Sequence, residues 1–156
     1  MMNVIYALLL FIAYPAIPEP LAEALKRAIA IADATTPRTV TGPLMVDVQS
    51  VNLSGGRLGL PAVRVEEIGT ELRRPVLNRT TADALICTKK GCRVDGNGVH
   101  ISIEEMLLRN DTAEFVIAVR YSDPTSNGTG VARAAISFKR SGGTWLFLRT
   151  RALSVS

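Results

Sequence analysis

Three runs crowd the last third of the chain: Phe115–Tyr121, Val131–Arg140 and Trp145–Ser154. Each is rich in β-branched or aromatic residues. The connections between them, Asp123-Pro124-Thr125-Ser126-Asn127-Gly128 and Ser141-Gly142-Gly143, supply positive φ or forbid ladder pairing. A chain written this way folds back on itself as an antiparallel meander. The meander sets an architecture but names no chemistry, because its recurring polar residues are mostly Arg and Lys.

At the other end, Val4–Ile17 is an uninterrupted apolar stretch of 14 residues containing Pro15. It is short for a bilayer crossing and fits the apolar region of a secretory signal. Ala22-Glu23-Ala24 offers an A-x-A cleavage pattern, so the expected organisation is a signal peptide over 1–24 and a single domain over 25–156. Ala32-Asp33-Ala34 is a competing site, and Met1-Met2-Asn3 lacks the basic residue of a strong signal. An uncleaved membrane anchor and a buried helix of a cytosolic protein are the alternatives. No Cys follows the apolar stretch, which argues against a lipoprotein. The expected location is secreted or periplasmic.

The 156 residues carry a formal charge of +4, and fourteen of the eighteen bases are Arg. Removing residues 1–24 takes away Glu19 and Glu23 but no base, which raises the charge to +6. The bases are scattered, with no run longer than a doublet such as Arg73-Arg74, Lys89-Lys90 or Lys139-Arg140. That pattern suits solubility and weak attraction to anionic surfaces rather than a nucleic-acid groove, and the sparse aromatics provide no stacking platform.

Cys87 and Cys92 are separated by Thr88-Lys89-Lys90-Gly91. In an exported chain this spacing predicts a disulfide across a hairpin, with Gly91 at its tip and the Cα atoms roughly 5.5–6 Å apart. A redox pair is more usually C-x-x-C at a helix start. A zinc site would have to draw on Cys87, Cys92, His100 and a carboxylate such as Asp95, with no second ligand pair at a familiar spacing. We therefore expect no metal and no cofactor.

Between the termini, Leu21, Leu25, Ala28, Ile29 and Ala32 recur at helical spacing over Pro20–Ala34. Leu44–Val48 alternates as a short strand, and Asn52–Leu60 reads as a Gly-rich loop. A second helix from Pro61 is expected, with Val65, Ile68 and Leu72 on one face and Pro75 ending it. Val99, Ile101 and Ile103 alternate with His100, Ser102 and Glu104, the pattern of a half-buried strand.

Few residues carry chemistry. His100 is the sole histidine and points away from the Val99/Ile101/Ile103 face, which suggests a surface or hydrogen-bonded side chain. Glu104 and Glu105 fall on opposite faces of an ideal strand and make no acid/base pair. Asp95-Gly96-Asn97-Gly98 lacks the ligand periodicity of a calcium loop and reads as a turn. Ser54-Gly55-Gly56-Arg57-Leu58-Gly59 lacks the Gly-Lys-Ser/Thr of a phosphate loop. Trp145 reads as a core or sheet-end anchor. Asn52, Asn78, Asn110 and Asn127 lie in N-x-S/T sequons and would mark the surface in a glycosylating host.

The order Asp111-Thr112-Ala113-Glu114-Phe115-Val116, a charged strand, a Gly-rich turn, then Ser141-Gly142-Gly143-Thr144-Trp145 and a closing strand resembles the end of NTF2-like (cystatin-like α+β) domains. The layout as a whole is similar to small exported bacterial proteins. The resemblance implies a sheet curled around helices into a conical pocket, used for binding or, in some members, for isomerase or hydratase chemistry. The Asp/His pairs of those enzymes have no clear counterpart here.

The expected fold is α+β: two amino-terminal helices packed on a curved antiparallel sheet that ends in a three-stranded meander. The expected function is a non-catalytic exported binding or accessory domain. It would take a protein partner, an envelope component or a small apolar ligand, with no catalytic residues and with binding residues unassigned. The rivals are a small enzyme of isomerase or hydrolase type using His100 with Glu104 or Asp95, and a purely structural envelope protein. The only pairing assigned is the disulfide Cys87–Cys92.

Overall fold

A computed structural model of the protein describes residues 19–48, 51–53, 56–58, 62–123 and 128–156. The apolar Val4–Ile17 segment lies outside these residues. So do 124–127 of the first meander turn, with the sequon residue Asn127.

Helix α1 (Glu19–Thr35) forms over the predicted stripe, and Leu21, Leu25, Ala28, Ile29 and Ala32 are all buried, together with Ala24. Pro20 stands in its first turn, where a missing N–H leaves no bond unmade. Asp33 meets the Arg74 guanidinium at 2.7 Å, and Lys26 pairs with Glu71, tying α1 to the end of the next helix. That helix, α2 (Ala62–Glu71), buries Val65 and Ile68. It stops before Leu72 rather than running to Pro75. Arg73 takes a left-handed φ of 54°, and the Arg74 amide donates back to the Gly69 carbonyl, a Schellman-type ending.

The strands are β1 (Leu44–Asp47), β2 (Val51–Leu53), β3 (Gly56–Leu58), β4 (Leu77–Asn78), β5 (Leu85–Thr88), β6 (Gly91–Val94), β7 (Val99–Leu108), β8 (Thr112–Ser122), β9 (Thr129–Ser141) and β10 (Thr144–Val155). A third helix, α3 (Thr81–Ala84), precedes β5. The fold class is α+β, dominated by a sheet whose main path of six strands runs β10-β9-β8-β7-β1-β4, with β2 and β3 joined to it beside β7. Strands β7 to β10 follow one another antiparallel, and Gly142 and Gly143 close the last turn at φ 58° and 82°.

Three expectations are corrected here. The sheet is mixed, because β1 pairs parallel with both β7 and β4. The expected loop over 52–60 contains the hairpin β2/β3, with β2 adding parallel to β7 at Asn52↔Glu105. Gly-rich composition predicts a loop, yet an open stretch of the β7 edge offers ladder partners that local sequence cannot foresee. Strand β1 was expected to alternate and is instead buried along its whole length. The apolar Leu44, Val46 and Val48 face α1 and α2, and Met45 and Asp47 face a second layer on the other side.

The core lies between α1, α2 and one face of the sheet. Its sheet side is Ile101, Ile103 and Met106 of β7, Ala113, Phe115, Ile117 and Val119 of β8, and Ala132, Ala134, Ile136 and Phe138 of β9. Phe115 and Phe138 meet edge to face at 5.9 Å. Each such side chain contributes about 1.5–3 kcal/mol by leaving water. On the opposite face α3 and the β5/β6 hairpin form a second layer, over β1 and the start of β7 and reaching the end of β8 and the start of β9. The Ser122 hydroxyl donates to the Val94 carbonyl at 3.1 Å, and the Thr129 hydroxyl donates to the Cys92 carbonyl.

The Cys87 and Cys92 sulfurs lie 2.03 Å apart, at bonding distance, across directly opposed positions of that hairpin. Their Cα separation is 4.0 Å, shorter than the expected 5.5–6 Å. Direct opposition explains it, since non-hydrogen-bonded cross-strand pairs approach to about 4.5 Å.

Candidate functional site

The face of the sheet turned away from α1 holds most of the polar side chains, and its two ends differ. At the β1 end His100 is 0 % exposed, so of the surface and hydrogen-bonded alternatives the structure shows the second. Met45 of β1 and Arg120 of β8 are its cross-strand neighbours. Its Nε2 is 3.3 Å from the Arg79 carbonyl; as the donor tautomer this leaves Nδ1 without a hydrogen-bond partner. Burial lowers its pKa from 6.5, and the Arg120 charge adds to that. The Arg79 carbonyl and the Asp47 carboxylate oppose the shift. A buried neutral imidazole under a closed layer is a poor proton shuttle.

Neither proposed carboxylate is available to it as a partner. Asp95 is ion-paired with Arg79 at 3.1 Å. Glu104 sits between two arginines, 2.9 Å from Arg120 and 3.0 Å from Arg133, while Arg120 also donates to the Ser102 hydroxyl at 2.7 Å. A bulge between Ile103 and Glu105 makes this possible. It shifts the alternation by one residue, so Glu104 and Glu105 both fall on the polar face, against the opposite-face expectation. The arrangement is an ion-pair cluster of one carboxylate and two guanidinium groups, net positive, bracing β7, β8 and β9.

Beyond this cluster the face is open. One cross-strand row runs Leu107↔Glu114↔Ser137↔Arg149 over β7 to β10, with Ser137 donating to Glu114 at 3.0 Å. A cleft of about 570 Å³ follows that row, bounded by Leu107, Arg109, Glu114, Ser137, Leu148 and Arg149. The next row ends in Arg151.

Strand β10 closes the open end. It pairs with β9 alone, so its outer edge has no strand beside it among the described residues. Leu146, Phe147, Leu148, Leu153 and Val155 are exposed, Val155 by 74 %. Phe147 meets the core ring Phe138 edge to face, 6.0 Å away, and lies under the Arg27 guanidinium at 3.4 Å. Trp145, expected as an anchor, is half-buried against the core with Arg140 at 5.9 Å. The residues that sequence reasoning passed over are therefore Leu148, Arg149, Arg151 and Leu153. The available signal was the alternation Arg149-Thr150-Arg151-Ala152 within an apolar strand.

Other expected features are not gathered into a site. Asn110 is exposed, and Asn78 is half-buried with its amide oxygen enclosed. Among the described residues no three His, Cys, Asp or Glu side chains converge as metal ligands. No helix among them is long and apolar enough to cross a membrane. No protein-family model, curated protein or solved structure matches this chain.

Proposed function

We propose that this protein is an exported, non-catalytic binding domain that receives a protein partner on the β10 side of its sheet. The observation that carries the reading is β10 itself, a strand of twelve residues, solvent-exposed along nearly its whole length and unpaired on its outer edge among the described residues. A bare edge templates further pairing, and β10 leaves its outer edge bare while carrying features that make pairing selective: bulges at Phe147/Arg149 and Ala152/Ser154 and the charges of Arg149 and Arg151. A partner is favoured over a small apolar ligand, since the sheet face beneath α1 is filled by Leu21, Leu25, Phe115 and Phe138.

The enzyme alternative draws little support from a buried His100 and an ion-paired Glu104. The NTF2-like reading of the fold remains a proposal. It is supported by α1 lying across β7, β8 and β9, and by the four antiparallel strands in sequence order.

Export is supported by the Val4–Ile17 segment and by the Cys87–Cys92 bond, which suits an oxidising compartment. A cut after Ala24 would strip Pro20, Leu21 and Ala24 from the core, whereas a cut ahead of Glu19 leaves α1 whole. We therefore place processing upstream of Glu19.

The test is photo-crosslinking in the native compartment with the reactive residue placed at Leu153, at Ile86 of the hairpin, or at Ala34 of α1. Partner crosslinks should concentrate at Leu153. Crosslinks equal at all three positions, or a turnover that His100→Ala abolishes, would remove this reading.

A further inference from the structure

Resting on that reading, we infer that the partner of β10 is an extended acidic segment, added to the sheet edge as one more strand. Between its two bulges, from Arg149 to Ala152, the backbone of β10 offers alternate N–H and C=O groups on its outer edge, and a peptide in extended conformation satisfies them with the same spacing. Register then decides which side chains meet. Arg149 and Arg151 pair with Ser137 and Ala135 of β9, so both project from the polar face, two residues apart. Thr150 and Ala152 pair with Ile136 and Ala134 and lie on the other face, next to the core. A strand laid beside them is complementary if it alternates carboxylates on the polar face with small apolar residues on the other.

The charges around this edge point the same way. Glu104 and Glu114 are already engaged, with Arg120 and Arg133 and with Ser137 respectively. Among the described residues no carboxylate is ion-paired with Arg109, Arg149 or Arg151, and all three are exposed. Arg109 and Arg149 flank the cleft beside Leu148.

A second copy of the chain is disfavoured as the occupant. An antiparallel overlap of two β10 strands centred on Thr150 sets Arg149 of each against Arg151 of the other, and like charges directly opposed destabilise a pair. The same two arginines that keep copies apart select an acidic strand.

The probe is a dye-labelled peptide of roughly eight residues, a normal strand length, alternating Val and Glu. Its controls are the Val/Lys isomer and a Val/Glu peptide with alternate amides N-methylated. Binding to the full chain is read by anisotropy, and occupancy of the edge by amide hydrogen exchange. The Val/Glu peptide should bind, slow the exchange of β10 amides, and weaken as salt rises. Arg149→Glu with Arg151→Glu should cost it at least about tenfold in affinity, while the Val/Lys peptide gains. Both arginines are exposed, so the variant keeps its fold.

Equal binding of the Glu and Lys peptides with β10 still protected would overturn the acidic assignment and leave the edge reading standing. Full affinity of the N-methylated peptide would overturn strand addition. A concentration-dependent dimer that protects β10 without peptide would name a second copy as the occupant. Loss of β10 protection with every peptide would remove both the inference and the reading beneath it.

Discussion

Strands β1 and β10 belong to one sheet and are built oppositely. Every residue of β1 is buried, whereas eleven of the twelve in β10 are exposed. Apolar content does not separate them, since β10 holds Trp145, Phe147, Leu146, Leu148, Leu153 and Val155. Coverage does. Strand β1 lies between the helical layer and the α3–hairpin layer, whereas α1 crosses β7, β8 and β9 and meets β10 at its Trp145–Phe147 end, leaving Thr150 to Val155 exposed. The titratable group that looked most chemical in the sequence, His100, is at the covered end and serves packing. Side chains that look ordinary in the sequence, two arginines and several leucines, become the accessible surface.

The largest expected contrast is between two phenylalanines. Phe115 is fully buried, and Phe115→Ala should lose about 3–5 kcal/mol in urea unfolding, as core cavities do. Phe147→Ala, removing a ring that is more than a third exposed, should lose less than half as much. Equal losses would show that the β10 end is packed as tightly as the core.

Reducing Cys87–Cys92 should lower stability by about 2 kcal/mol if the bond acts through loop closure in the unfolded chain. The fold should survive, because the core does not include the hairpin tip, and partner binding at β10 should be unchanged. Loss of binding on reduction would mean that the two ends communicate.

A smaller effect is expected from pH. His100 has a lowered pKa in the folded protein, so below pH 6.5 the unfolded chain binds a proton that the native state resists. Its contribution is fully present above that value and is lost as pH falls toward and through the lowered pKa. His100→Gln should flatten this part of the stability profile without altering partner affinity. An unchanged slope would place the protonation elsewhere.

Smallest of all, Leu153→Thr should change stability by no more than about 0.5 kcal/mol, the scale of an ordinary surface position. A greater loss would mean that Leu153 is covered.

Much of this contrast is legible in the sequence, though unevenly. The stripe Leu21/Leu25/Ala28/Ile29/Ala32 and the alternation through β7 to β9 identify elements and their core faces, because periodicity reports which side meets a layer. Periodicity cannot say whether a layer exists. Asp47 falls on the polar side of the Leu44–Val48 alternation, yet it is buried and accepts from Thr81, 2.7 Å from the backbone amide and 2.9 Å from the hydroxyl. The Glu104/Glu105 placement failed because one bulge inverts alternation, and nothing local marks it. The β2/β3 pairing failed because a distant edge supplied the partner. The disulfide was within reach, since both cysteines belong to one short hairpin.

The most direct test is residue-resolved amide hydrogen exchange on the free protein, diluted until its mass is that of a single chain. The account predicts strong protection through β1, β7, β8 and β9, with outward-facing amides of β10 exchanging far faster than their inward neighbours. Alternating protection along one strand is the signature of an edge paired on a single side. Uniform protection of β10 in the monomer would mean that its edge is already covered, and would contradict the account.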